Sequence, residues 1–295
     1  MSVQPIAAWL VARPERAVFV LIVTFPLPFT SIIGSSVLVL LVLSSGLART
    51  LQVAGIAYAA ILLMSLVTSM PLAFLHQVAL TIWMPGVLLA MLLQRTRSLT
   101  LSLQVSALAA LLVLVALYVV AGDLTAYWQE VQKEFVALLG GGDQQTEADI
   151  LAQFRPLLPY MTGFAVASGW LIYVAAFLAG YRAYVGLPGK SDEFGRITAL
   201  NFGRVLALIL ALTSIVAVVA NSNWLQNVAV LLFAIFWLQG LTILHWLRAI
   251  GKLPGIALAA VYVFTLLSGQ LLFSVVVLVG YTDAWFDYRR RIASK

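Results

Sequence analysis

Cysteine is absent from the 295 residues, and charged side chains make up only 9% of them. The first absence excludes disulfides, thiolate nucleophiles and thiolate-held metals or iron–sulfur clusters. The second excludes an ordinary soluble domain, which carries about a quarter charged residues. With 63% hydrophobic residues and a mean hydropathy of +1.04, the composition is that of a protein embedded in lipid. Histidine is nearly missing too: His76 and His245 are the only two, and neither stands at a metal-ligand spacing such as His-Glu-x-x-His. Gly189-Lys190-Ser191 resembles the end of a phosphate-binding loop, but the glycine required five residues earlier is replaced by Tyr184. No Gly-x-Ser-x-Gly occurs, and no carboxylate stands at the middle of an apolar segment to act as a base. No cofactor, no metal and no enzymatic activity are expected. The net charge of +6 lacks the basic stripe interleaved with aromatics that nucleic-acid binding needs. It is read instead as loop arginines that orient membrane spans and meet anionic lipid.

What is present is a series of apolar runs: Ala17–Leu47, Leu51–Met70, Leu72–Gln94, Leu99–Gly122, Tyr160–Tyr184, Gly203–Asn221, Trp224–Leu247 and Ile256–Tyr281. A membrane span needs about 20 residues, so the pattern predicts an all-α polytopic transmembrane bundle with about eight main hydrophobic segments. The run after Arg16 continues past Leu40 with no small-residue cleavage site, unlike a signal peptide. Two segments are odd. Ala17–Leu47 would make a helix of roughly 46 Å against a hydrocarbon core of about 30 Å, and Pro26 and Pro28 interrupt it. Ile256–Tyr281 carries Ser268-Gly269-Gln270 at its middle.

Charge decides how these two segments run, because basic residues favour the cytoplasmic side. As single spans they leave 9 of the 17 basic residues inside and 8 outside. If each enters and returns, both termini are cytoplasmic and only Lys133 and Arg155 of the 17 stay outside. The second arrangement is the expected one, in a bacterial inner membrane. Full crossing and half-depth re-entry of the short arms both satisfy it.

The polar gap Asp123–Pro159 holds 6 of the 11 acidic residues. Leu124, Trp128, Val131, Phe135 and Leu138 repeat at helical spacing, predicting an amphipathic helix in the outer interface. Gly140, Gly141 and Gly142 then form a hinge, and Thr146 with Asp149 reads as a capping box opening a short helix. The gap is a linker between two membrane halves or a lid. Pro85-Gly86 should kink its span, and Asn221, Asn223 and Asn227 should cap a tight outer turn. The two histidines fit helix–helix hydrogen bonds or polar ligand contact.

The chain closes on an apolar run that meets Asp283, Asp287, Arg289, Arg290 and Arg291. On one continuous helix Asp283, Asp287 and Arg290 or Arg291 share a face, and Tyr281, Trp285 and Tyr288 share another. The two acids are then either a solvated helix end paired with Arg290 and Arg291, or part of a docking surface or inner pocket mouth.

Gln239-Gly240 through His245-Trp246, Leu253-Pro254, Tyr262, and Gly280, Asp283, Trp285, Asp287, Arg289 and Arg290 resemble the C-terminal signature of the YybS-like family of bacterial membrane proteins. Pro26 and Pro28 resemble that family's early proline pair. The resemblance implies a fold similar to the substrate-binding subunits of energy-coupling-factor vitamin transporters, and it supplies no activity. Interrupted segments in both halves point to a transporter-type site. Pro26, Pro28, Gln239, His245, Gln270, Asp283, Trp285, Asp287, Arg289 and Arg290 are therefore the candidate functional residues. The expected function is small-molecule binding or transport, with an energising membrane subunit as a possible partner. The competing expectation is a non-transporting assembly or regulatory factor acting through its cytoplasmic face.

Overall fold

The computed structural model describes residues 4–26, 28–68, 70–122, 124–140, 144–268 and 270–293, and among these there are helices and turns but no strand. In chain order the helices are α1 (Gln4–Ala12), α2 (Pro14–Thr24), α3 (Pro28–Ser45), α4 (Leu47–Thr68), α5 (Leu72–Val78) and α6 (Met84–Thr96). Next come α7 (Leu99–Ala121), α8 (Thr125–Gly140), α9 (Gln144–Phe154) and α10 (Met161–Val185). The chain ends with α11 (Gly203–Val219), α12 (Asn223–Ala249), α13 (Gly255–Ser268), α14 (Gln270–Phe286) and α15 (Tyr288–Ala293).

Among the described residues, 5 stretches are long and apolar enough to cross a membrane: Leu47–Thr68, Leu72–Thr96, Leu99–Ala121, Ala148–Val185 and Asn223–Ala249. Their outward faces are apolar as well, with Leu66, Val67, Val119 and Val120 each more than three-quarters exposed. Helices apolar on every side need lipid around them. This is a helical membrane bundle.

The chain divides into two compact, interleaved units: Met1–Leu103 with Leu171–Ile197, and Gln104–Trp170 with Thr198–Lys295. Helices α7 and α10 each give one part to either unit.

In the first unit α3 is the core, with every residue from Val37 to Leu43 buried. The proline-interrupted segment does break, between α2 and α3. Pro28 opens α3, where its missing N–H costs nothing, and the Thr30 hydroxyl donates to the Thr24 carbonyl at 2.8 Å, satisfying the end of α2. Leu27 lies outside the described residues. Pro85 does not snap its span. It cannot donate to the preceding turn, and the helix widens into a π-helical turn over Ala79–Trp83 just before it. A Cβ on Gly86 would lie 2.3 Å from Ser35 Oγ, so α6 presses directly on α3.

Beyond α10 the chain is pinned as a turn. Leu99 N–H donates to the Phe194 carbonyl at 2.7 Å, Tyr181 Oη donates to Gly195 O at 2.7 Å, and Tyr184 bonds Glu193. Gly189 takes φ +75°, left-handed as a tight turn requires.

In the second unit α12 is the most buried helix. At one end Asn227 is wholly buried; its amide donates to Pro159 O and to Asn223 O at 2.7 Å, and its oxygen accepts from Gly163 N–H. It locks α10 to α12, which corrects the expectation that it caps a surface turn. Asn227→Leu should lower stability by about 1–3 kcal/mol through the buried groups it orphans, read as a lower unfolding midpoint in detergent. A midpoint equal to wild type would show that the lock is idle.

The amphipathic segment of the polar gap is helical, as α8. The face turned to the protein is only partly its apolar stripe, however: Trp128 bonds inward and Gln132 and Val136 are buried, while Phe135 and Leu138 are exposed. Trp128 Nε1 to Thr162 Oγ1 (2.8 Å) and Gln132 Nε2 to Phe154 O (3.3 Å) select that face. Helix α9 begins at Gln144, so Thr146 lies inside its first turn and is not a cap. Gly141 and Gly142 lie outside the described residues.

Candidate functional site

The second unit gathers its polar side chains where α12 meets α14. A Cβ on Gly280 would lie 2.0 Å from Phe236 O, and one on Gly240 would lie 2.1 Å from Val276 O. Two glycines thus let two helix backbones touch, the small-residue contact typical of membrane helices. Phe236 meets Gly280, Gln239 meets Asp283 and Thr242 meets Arg289.

This contact buries a charge. Asp283 is 0% exposed. Its Oδ2 accepts from Gln239 Nε2 at 3.0 Å and lies 3.3 Å from Arg289 Nη1; its Oδ1 accepts from Tyr288 N–H at 3.0 Å. Gln239, also wholly buried, is held in turn: its Oε1 accepts from Phe202 N–H at 2.8 Å. Asn201 closes the ring, with Oδ1 accepting from Gly203 N–H at 2.8 Å and its carbonyl accepting from Gln104 Nε2 at 3.1 Å. Arg289 Nη2 donates to Thr242 Oγ1 at 2.9 Å, which donates to Gln239 O at 2.7 Å. The guanidinium stays charged.

Gln239 lies ten residues before the end of α12 at Ala249, about 15 Å of helix rise, inside a helix long and apolar enough to cross a membrane. The stretch Leu200–Phe202 reaches the same level as non-helical backbone, and Leu200 and Phe202 are buried.

The expected continuous C-terminal helix is therefore wrong. Helix α14 stops at Phe286, and Asp287, at φ +47°, turns the chain into α15. The four-residue ladder from Asp283 through Asp287 to Arg290 or Arg291 is broken. Asp283 pairs with Arg289, and Asp287 and Arg290 are exposed.

Of the other candidates, His245 bonds Tyr262 Oη at 2.8 Å, a helix–helix link between α12 and α13. The Trp285 carbonyl accepts from Arg204 Nη2 at 3.4 Å, and its buried Nε1 has no partner among the described residues. Pro26 is exposed at the α2–α3 break, in the first unit. Gln270 begins α14; its side chain, that of Pro28, and Gly269 lie outside what is described.

The structure thus assembles Gln239, Asp283 and Arg289 with Gln104, Asn201 and Thr242, which the sequence reading passed over. A usable signal existed. Gln239-Gly240 and Gly280-x-x-Asp283 each set a polar group beside a glycine, the pairing of close approach and buried polarity. No family model, no curated protein and no solved structure matches this chain.

Proposed function

We propose that this chain is a multi-pass protein of a bacterial inner membrane, not an enzyme, that binds or transports a small molecule at the Asp283–Arg289–Gln239 cluster. The observation that carries the reading is an ion pair whose carboxylate is wholly buried and whose guanidinium is 13% exposed, packed among helices apolar enough for a membrane, where charged groups are costly and mark functional sites by default. Both termini are cytoplasmic, by the basic-residue count. The chain has eight main segments, the first and last entering and returning as α2–α3 and α13–α14. The YybS-like resemblance and the likeness to energy-coupling-factor binding subunits agree with a ligand-binding role, served by a separate energising subunit.

A second reading, an assembly or regulatory factor working through the cytoplasmic face, draws on the pinned turn beyond α10. There Arg97 sits 4.9 Å over the Phe194 ring and 3.5 Å from Glu193, presenting a rigid basic surface.

Native mass spectrometry after incubation with a metabolite extract separates the two. A low-mass species bound to wild type and lost in Asp283→Asn supports binding. Ligand-free protein under every condition, co-purifying with one partner, supports the second reading and sinks the first.

A further inference from the structure

We infer that Asp283 anchors a site for a small guanidinium-bearing cation, and that Arg289 occupies this site as a built-in plug; the inference rests on the ligand-binding reading above. The carboxylate has two neutral donors besides Arg289, one of them outside α15. Tyr288 N–H holds Oδ1 and Gln239 Nε2 holds Oδ2, with Gln239 fixed from behind by Phe202 N–H. A buried carboxylate with two such donors still requires a positive charge beside it. The chain supplies a guanidinium, on the last helix described.

Arg289 fills the place incompletely. One nitrogen reaches Asp283 at 3.3 Å and one reaches Thr242 at 2.9 Å, while Nε is buried with no partner among the described residues. Guanidinium pairs with carboxylates best through two parallel bonds, and here a single nitrogen touches Asp283. A free guanidinium has the same two acceptors within reach and no tether restricting how its nitrogens turn toward them. The tether is also the means of release. Helix α15 is six residues long and joins α14 through Asp287 alone, an exposed residue with left-handed φ +47°. Turning about this residue withdraws Arg289, and the Tyr288 N–H with it, without unfolding α14, leaving Gln239 Nε2 on the carboxylate. Of the neighbouring cations, Arg290 is exposed and Arg291 lies over the Phe286 ring at 5.5 Å.

The test is labelling of Asp283 in the full chain, in detergent, by a hydrophobic carbodiimide, with the Asp283 peptide followed by mass spectrometry. Wild type should label slowly. Arg289→Met should label about tenfold faster, the change expected when a plug that holds the site closed is lost. Guanidinium chloride at about 10 mM, enough to saturate a millimolar site, should restore protection, and choline chloride should not. Equal labelling of wild type and Arg289→Met overturns the plug. Fast labelling that guanidinium leaves unchanged overturns the cation site. If Arg289→Met does not fold, Arg289→Lys replaces it: guanidinium must raise its melting temperature above the choline control, and no rise counts against the site. A retained ligand of other chemistry, with no guanidinium protection, overturns this inference and leaves the binding reading standing. No retained ligand and no protection overturn both.

Discussion

Asp283→Ala should destabilise the protein by about 3–5 kcal/mol, the cost of leaving a buried charge without its partner. The loss is large because three groups are orphaned together: the Arg289 guanidinium, the Gln239 amide and the Tyr288 N–H. Asp287 is the control. It is exposed and its backbone is left-handed, a conformation glycine adopts freely, so Asp287→Gly should be neutral or mildly stabilising. Unfolding of both variants by denaturing detergent in mixed micelles gives the comparison. Similar losses for the two acids would mean that the α14–α15 break is misplaced.

Gly280→Ala should be nearly as damaging. The added Cβ would stand 2.0 Å from Phe236 O and 2.6 Å from Gly240 N. Both are backbone atoms, and no rotamer change moves them aside. The helices must separate, which also stretches the Gln239–Asp283 bond across the same contact. A loss of about 3 kcal/mol, the upper end of ordinary overpacking, is expected. Gly55 and Gly169 have nothing within 4 Å of an added Cβ. Alanine there should be harmless or stabilise by up to about 1 kcal/mol from helix propensity. Thermal unfolding of the three variants side by side is decisive, and a Gly280→Ala protein as stable as Gly55→Ala would refute the close crossing of α12 and α14.

The helical membrane bundle was legible because long apolar runs leave few alternatives, and Pro26 and Pro28 mark their break by the chemistry of proline alone. His245 was legible as a helix–helix bond, though Tyr262 as its partner was not. The C-terminal site was misread for a definite reason. Helical periodicity places Asp283 and Asp287 on one face, and only the left-handed turn at Asp287 sends one inward and leaves the other exposed. Nothing in local sequence forces a non-glycine residue into that turn; the Tyr288 N–H bond to Asp283 and the seating of Arg289 on Thr242 do so, and both are tertiary. Asn201 and Gln104 were missed likewise, since their roles exist only once Leu200–Phe202 is drawn in beside α12. In α8 the apolar stripe coincides only in part with the packed face, which two hydrogen bonds from Trp128 and Gln132 chose.

The central claim, that Asp283 and Arg289 form one buried unit in the heart of α12, α14 and α15, is tested most directly by a double-mutant cycle. Wild type, Asp283→Ala, Arg289→Met and the double variant are unfolded under the same conditions, with Arg290→Met replacing Arg289→Met in a parallel cycle. A coupling of about 2 kcal/mol or more for Asp283 with Arg289, and none for Asp283 with Arg290, is predicted. Additive losses to within about 0.5 kcal/mol in the first cycle, or equal coupling in both, would contradict it.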